Sequence, residues 1–595
     1  MAEQRYQAVN RYSPTASRTD LVPLQRRPGT ASNRGSFLDS SPYDPTFASR
    51  ASSSIAAKFS LNPDPKRWNS IVDPRTKEPD DDLHNPDPRR DRLYDNRFAV
   101  SGRGIANIGC ILLLISVLLG LFAGYPVASY FTTKSLSTNG GYNLGGVNAS
   151  GQVPDIGNFG LIDQDTPEDA YYLTSYTDGS TEYQLVFSDE FNTDGRSFWS
   201  SDDPYWEAVD LHYWQTNDLE WYSPEAITTK DGYLQITLSE KDAASNHNLD
   251  YQGGMMSTWN KFCFTGGLVL ASVRLPGSHK VSGLWPALWT LGNLGRAGYG
   301  ASLEGMWPYS YDTCDVGTVA NQSVNGVPNA AVDGTGDTNN DGALSYLKGQ
   351  RLSRCTCSGE SHPGPVHSDG TYVGRAAPEI DIFEAQVSNG VGQVSQSAQW
   401  APFDYQYIWE NTTDNYIVYN STGTSENSYA GGAYQESTSF VSNTQPGCYE
   451  LDGDCFSTFG IEYSPGYESD GGFVTWIQND TAAWTLKAAG VQADSTVNIS
   501  ARFISREPMY LVTNLAISEN FAWIDYDNLE FPAVMSIDWI RVYQKKGEIN
   551  IGCDPSDFPT AAYIEQYSGA YTNPNYTSWD DYGQSWPKNS YLDEC

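Results

Sequence analysis

Ala377-Pro378-Glu379-Ile380-Asp381-Ile382-Phe383-Glu384 is the stretch on which the reading of the chain turns. Three carboxylates are interleaved with Ile380, Ile382 and Phe383, side chains that favour a pleated, half-buried strand. In a regular strand successive side chains alternate faces, so Glu379 and Asp381 share one face and Glu384 falls on the other. One extra residue, a β-bulge around Ile382-Phe383, returns Glu384 to the face of the first two. The apolar residues then pack behind a row of three acids. Like charges this close cannot all stay ionised cheaply, so at least one pKa is expected to rise. An ionised carboxylate beside a carboxylic acid that keeps its proton is the pair that retaining glycoside cleavage uses. Read alone, the stretch fits an acidic edge strand or a cation site about as well.

Working outward, Tyr233-Leu-Gln-Ile-Thr-Leu238, Leu268-Val-Leu-Ala-Ser-Val-Arg274, Phe473-Val-Thr-Trp-Ile477 and Ser536-Ile-Asp-Trp-Ile-Arg-Val-Tyr543 are further strand-like runs. Turn residues separate them and no long helical period intervenes, a pattern that predicts an all-β sandwich. Trp285, Ala287 and Trp289 share a face by period two, with Pro286 and Leu288 opposite, so the two indoles fit either the floor of a cleft or a core. Residues 295–377 form a long Gly-, Asn- and Asp-rich segment. Within it Asp337-Thr-Asn-Asn-Asp-Gly342 matches the opening of a calcium loop, but Lys348 stands where the bidentate Glu belongs, and turn chemistry is the better reading.

The 595 residues carry 36 Lys and Arg against 72 Asp and Glu. The excess of acid lies beyond residue 104, since residues 1–104 hold 17 basic and 13 acidic residues. So negative a surface argues against nucleic acid as a partner. Residues 1–104 read as a disordered tail, rich in Pro and Ser and without apolar periodicity. No charged residue stands between Arg103 and Lys134, and Ile111-Leu-Leu-Leu-Ile-Ser-Val-Leu-Leu-Gly-Leu-Phe122 is almost wholly apolar, which predicts a membrane-spanning helix over 105–131. Arg89, Arg90, Arg92, Arg97 and Arg103 flank its amino-terminal side, which by the positive-inside rule keeps the tail cytoplasmic. Asn148, Asn321, Asn411, Asn420, Asn479, Asn498 and Asn575 head glycosylation sequons, all beyond the helix. A single-pass type II protein of the secretory pathway or plasma membrane is expected, with its bulk lumenal or extracellular. Residues 132–180 read as a flexible stem, 181–545 as the sandwich and 546–595 as a carboxy-terminal extension. Eight cysteines follow the helix, an even set suited to an oxidising compartment. Proximity suggests Cys448–Cys455 and Cys553–Cys595, whereas zinc at Cys355-Thr-Cys357 lacks the spacing and the histidines.

Glu-Ile-Asp-Ile-Phe-Glu resembles the bulged active-site strand of glycoside hydrolase family sixteen, the laminarinase-like β-glucanases. Gly283-Leu-Trp-Pro-Ala-Leu-Trp-Thr-Leu291 looks like that family's tryptophan-bearing strand, and Leu185-Val-Phe-Ser-Asp-Glu-Phe-Asn192 like its first. Phe459-Gly-Ile-Glu-Tyr463, Pro508-Met-Tyr-Leu-Val-Thr-Asn-Leu-Ala516 and Ile537-Asp-Trp-Ile-Arg-Val-Tyr-Gln544 resemble later strands, in order. With the membrane anchor and the carboxy-terminal cysteines, the resemblance narrows to the fungal β-glucan synthesis-associated proteins. It implies a jelly-roll sandwich with a cleft, Glu379 as nucleophile, Glu384 as general acid/base, Asp381 tuning the pair, and Trp285 and Trp289 in the cleft. It needs no metal and no organic cofactor. Laminarinase-like relatives carry a His on the strand after the catalytic one; here Ser395-Gln-Ser-Ala-Gln-Trp400 has none, and Gln399 stands near its position. Gln399 and Trp400 are expected to meet substrate, with transfer to a sugar, or weak activity, favoured over ordinary hydrolysis. The resemblance makes β-glucan the expected partner and wall-glucan (β-1,6-glucan) assembly the expected process. The alternative is a non-catalytic assembly factor that holds glucan or another wall-synthesis protein.

Overall fold

The strand-favouring runs pair into two antiparallel sheets in the computed structural model, which describes Arg89 and residues 102–127, 160–332 and 343–595. One sheet has the order Tyr251–Ser257, Met509–Ile517, Leu284–Gly292, Glu379–Ser388, Val391–Trp400, Gln435–Asn443. The other runs Glu182–Asp189, Ala533–Lys545, Gly267–Arg274, Ser457–Ser464, Phe473–Gln478, Thr481–Lys487. Alternate residues of both sheets meet in one core: Leu288, Ile380, Phe383, Val394, Ala398 and Leu511 from the first, Val269, Ala271, Ile461, Trp476, Trp484 and Ile540 from the second. This is the all-β sandwich that the strand-like runs predict, in the jelly-roll form that the resemblance implies.

The first sheet's opposite face is covered in part by a second layer. Segment 295–377 and the carboxy-terminal residues 553–595 share a separate apolar cluster with that face, in which Ala287, Trp289 and Leu291 meet Leu294, Met306, Tyr571 and Trp579. Approach is close enough that a Cβ at Gly300 would sit 2.5 Å from the Thr577 carbonyl oxygen. The Arg351 guanidinium lies 3.7 Å over the Trp579 ring while donating to the Ala301 and Ser302 carbonyls. Arg375 and Glu507, both almost fully buried, form a two-pronged ion pair with contacts of 2.8 Å.

Disulfides staple this layer. Cys314–Cys355 closes the inserted segment, Cys357–Cys595 fastens the chain's last residue to it, and Cys263–Cys553 ties the start of the extension to the sandwich. Cys448–Cys455 is present as expected. The expected Cys553–Cys595 pair is not: the extension crosses the domain, so its two ends reach partners 290 and 238 residues away in sequence. Nor is all of 132–180 a stem. Tyr172–Thr174 pairs with the Glu182–Asp189 strand. Buried Glu462 accepts hydrogen bonds from the Ser175 hydroxyl at 2.7 Å and from the Tyr176 and Thr177 amides at 2.8 and 3.1 Å, which pins residues that by composition pass for linker.

The chain divides into two units, and the smaller holds the apolar helix. That helix begins at Gly102, passes through a π-helical turn at Gly120–Gly124 and ends at Val127; its 26 residues are long and apolar enough to cross a membrane. The expected tail up to residue 101, the stem residues 128–159 and the calcium-like run 337–342 lie outside the described residues, Arg89 apart.

Arg375→Ala leaves Glu507 buried without its countercharge and should cost about 3–5 kcal/mol in denaturant unfolding. Arg375→Met with Glu507→Leu should recover part of that loss. An unchanged unfolding midpoint in the single variant would show that the pair is not what holds the covering layer.

Candidate active site

The acidic strand Glu379–Ser388 has its bulge where the residue pattern requires one. On one side Leu288 pairs with Phe383 but Trp289 with Asp381; on the other Ser397 pairs with Asp381 but Ser395 with Glu384. Two residues face one on the partner strand, so Ile382 and Phe383 both turn into the core, fully buried. Glu384 then rejoins Glu379 and Asp381 on the opposite face. The Trp476 indole, from the second sheet, donates to the Asp381 carbonyl at 2.7 Å and holds the bulge from behind.

Each acid has its own donor. The Trp307 indole N–H donates to Glu379 Oε2. Gln399 Nε2 donates to Asp381 Oδ2 at 2.9 Å, and Trp285 Nε1 donates to Glu384 Oε1 at 3.0 Å. The Ser395 hydroxyl lies 3.4 Å from Glu384 Oε2 and donates to it. Asp381 and Glu379 lie close enough for each carboxyl to act on the other's acidity.

Burial is the largest cause of the shifted acidities. It pushes Glu379 up to about 7, helped by the charge of Glu384 and opposed by the bonds from Trp307 and Asp381. Glu384 rises to about 8 through burial and the charge of Asp381, against the bonds from Trp285 and Ser395. Asp381 is driven up by burial and by Glu379, with Gln399 opposing. The charges acting on the three come from one another, not from an arginine or a lysine. At neutral pH such a set holds both protons and negative charge, as two-carboxylate acid/base chemistry demands.

Of the residues singled out from sequence, Glu379, Asp381, Glu384, Trp285 and Gln399 are gathered at one place. Trp289 shares their face but is 9% exposed, its indole donating to Asn514 Oδ1 at 2.9 Å, so it underlies the site. Trp400 is not brought there. It follows Gln399 directly in a regular strand, points to the core and donates to Thr438 Oγ1 at 3.0 Å. Three residues were missed. Trp307 comes from the inserted segment, and Tyr213 and Tyr429 lie close enough for the carboxylate charges to act on their phenols. No spacing in the chain announces them.

A bulged acidic strand on the outer face of a jelly-roll sandwich, with each carboxyl held by a donor, is an arrangement suited to two-carboxylate acid/base chemistry. The chain belongs to the family described as beta-glucan synthesis-associated protein SKN1/KRE6/Sbg1, whose model matches residues 70–595. Beta-glucan synthesis-associated protein KRE6 of Saccharomyces cerevisiae is 43% identical over 532 residues, 87% of this chain and 69% of that one. SKN1 of Candida albicans is 42% identical over 537 residues, 87% of this chain and 67% of the relative. Among solved structures, the catalytic domain of an endo-1,3-beta-glucanase (laminarinase) from Thermotoga petrophila RKU-1 aligns over 62% of this chain and 100% of its own, at 20% identity and a TM-score of 0.35.

Trp307→Phe keeps the apolar packing and removes the donor to Glu379. Because that bond favours the carboxylate, Glu379 should titrate at higher pH in the variant, read from carboxyl-carbon NMR of labelled protein. An unmoved titration would show that Trp307 does not set the acidity of Glu379.

Proposed function

We propose that the chain is a membrane-anchored, retaining β-glucan transglycosylase that acts in building wall glucan. The observation that carries this reading is the bulge that brings three mutually raised carboxyls to one face, each with a separate donor. Glu379, which the family resemblance puts in the nucleophile's position, attacks the anomeric carbon as its carboxylate. Glu384 gives its proton to the departing glycosidic oxygen, leaving a glycosyl ester on Glu379. An incoming sugar hydroxyl then yields its proton to Glu384 and attacks the same carbon, and Glu379 leaves as carboxylate. Asp381 keeps a proton between itself and Glu379, which limits charge repulsion in the resting state. Gln399, in place of a histidine, holds Asp381 without titrating near neutral pH.

A lumenal or extracellular sandwich on a type II anchor accords with the arginines before the apolar helix and with the sequons. Asn321, Asn411, Asn420, Asn498 and Asn575 are exposed, and Asn479 is half-exposed. The four disulfides fit the same oxidising compartment. The family's description and the names of its yeast relatives support β-glucan as the material handled.

The test is the purified chain incubated with defined β-glucan oligosaccharides, with products resolved by mass. Glu379→Gln should retain binding and lose turnover by on the order of 10⁶-fold, the scale on which loss of a nucleophile acts. Glu384→Gln should spare donors with activated leaving groups and slow deglycosylation. The wild-type kcat/KM should be bell-shaped in pH, rising as Glu379 ionises near 7 and falling as Glu384 ionises near 8. If both Glu→Gln variants restore wall glucan in a deletion strain as fully as the wild type, the protein works as an assembly factor instead.

A further inference from the structure

Trp523 is 73% exposed, while its neighbour Ile524 is 3% exposed. An isolated apolar side chain in water needs no explanation. This one sits on a loop, residues 518–531, that is tightly held. The Ser282 hydroxyl donates to the Trp523 carbonyl at 2.6 Å, and the Asp525 amide donates to the Ser282 carbonyl at 3.0 Å. Gly283, at φ +136°, is where the chain lets the loop in, since a Cβ there would meet Leu529 at 2.8 Å and Ile524 at 3.0 Å. The loop is also continuous with the carboxyl site. Phe521 stacks flat on Trp285, with ring centroids 4.2 Å apart and planes within 2°, and the Trp285 indole N–H is the donor to Glu384.

This inference rests on the catalytic reading, because the step that Glu384 performs tells which sugar lies there. Glu384 receives the proton of the incoming hydroxyl, so the acceptor sugar must approach the Glu384 end of the site. Trp285 and Phe521 are stacked at that end, and Trp523 follows Phe521 two residues along the same loop. Aromatic faces suit the C–H faces of glucose rings, and here the backbone that carries the ring is fixed in place. We propose that the loop carrying Phe521 and Trp523 is an acceptor platform: it binds a β-glucan chain beyond the reacting sugar and raises the share of glycosyl-enzyme taken by sugar rather than by water.

The experiment uses the full chain in detergent micelles, a β-1,3-glucan hexaose as donor and a fluorescently tagged β-glucan oligosaccharide as acceptor. Trp523→Ala should raise the acceptor KM about tenfold, lower the ratio of transfer to hydrolysis and move the donor KM by less than about twofold. Trp523→Phe, which keeps a ring, should recover most of the loss. In parallel, tagged acceptor is titrated onto Glu379→Gln and onto Glu379→Gln/Trp523→Ala by fluorescence polarisation, where the added substitution should weaken binding by a similar factor. An acceptor KM unchanged in Trp523→Ala, or donor and acceptor KM rising together, overturns the platform. If Glu379→Gln still transfers glucan, the catalytic reading has failed. The platform is then judged on the polarisation titration alone, where equal affinity of the two chains overturns it.

Discussion

Three carboxyls crowded on one face of a strand, Asp381 buried and Glu379 and Glu384 half-buried, are the constraint the rest of the site answers to. A carboxylate removed from water is costly unless its charge is met by donors or its proton is retained. The bulge at Ile382-Phe383 creates this difficulty by turning Glu384 to the side of Glu379 and Asp381. Indole and amide donors meet it without neutralising it, since Trp307, Trp285 and Gln399 bring partial charges rather than full ones. An arginine in their place would hold all three acids ionised and leave none to give a proton. The buried ion pairs elsewhere, Arg375–Glu507 and Arg502–Glu436, show the other solution, used where structure alone is at stake.

The donor to Glu379 comes from outside the sandwich, and this accounts for the covering layer. Trp307 lies in the inserted segment, which has little regular structure of its own. Its order derives from the extension packed over it and from disulfides to Cys595 and within the segment. Residues at the very end of the chain are therefore part of how a carboxyl near its middle is tuned.

What was legible in the sequence is what depends on local periodicity. The strands, the need for a bulge, the shared face of Trp285 and Trp289 and the apolar helix all follow from spacing of two or from runs of apolar residues. Trp307 was not legible, because its contact with Glu379 spans 72 positions and no pattern near Trp307 records the destination. Trp400 failed on parity, since two successive strand residues cannot both face the cleft. Cysteine pairing followed proximity for Cys448 and Cys455, seven apart, but not for Cys553 and Cys595, whose partners are chosen by the path of the tail. Residues 160–180 resembled a linker because Ser, Thr, Asp and Gly serve turns fastened by a buried carboxylate as readily as they serve flexible chain.

The central claim is that Glu379 makes a covalent bond to sugar. It is tested most directly by exposing the protein to a glucan oligosaccharide with fluorine at C2 of the reacting ring and a good leaving group, which slows release of the intermediate. Peptide mass spectrometry should then find one glycosyl group on the peptide bearing Glu379, attached to that residue and absent from Glu379→Gln. An unlabelled protein that nevertheless turns over natural glucan, or a label on another side chain, would contradict the account.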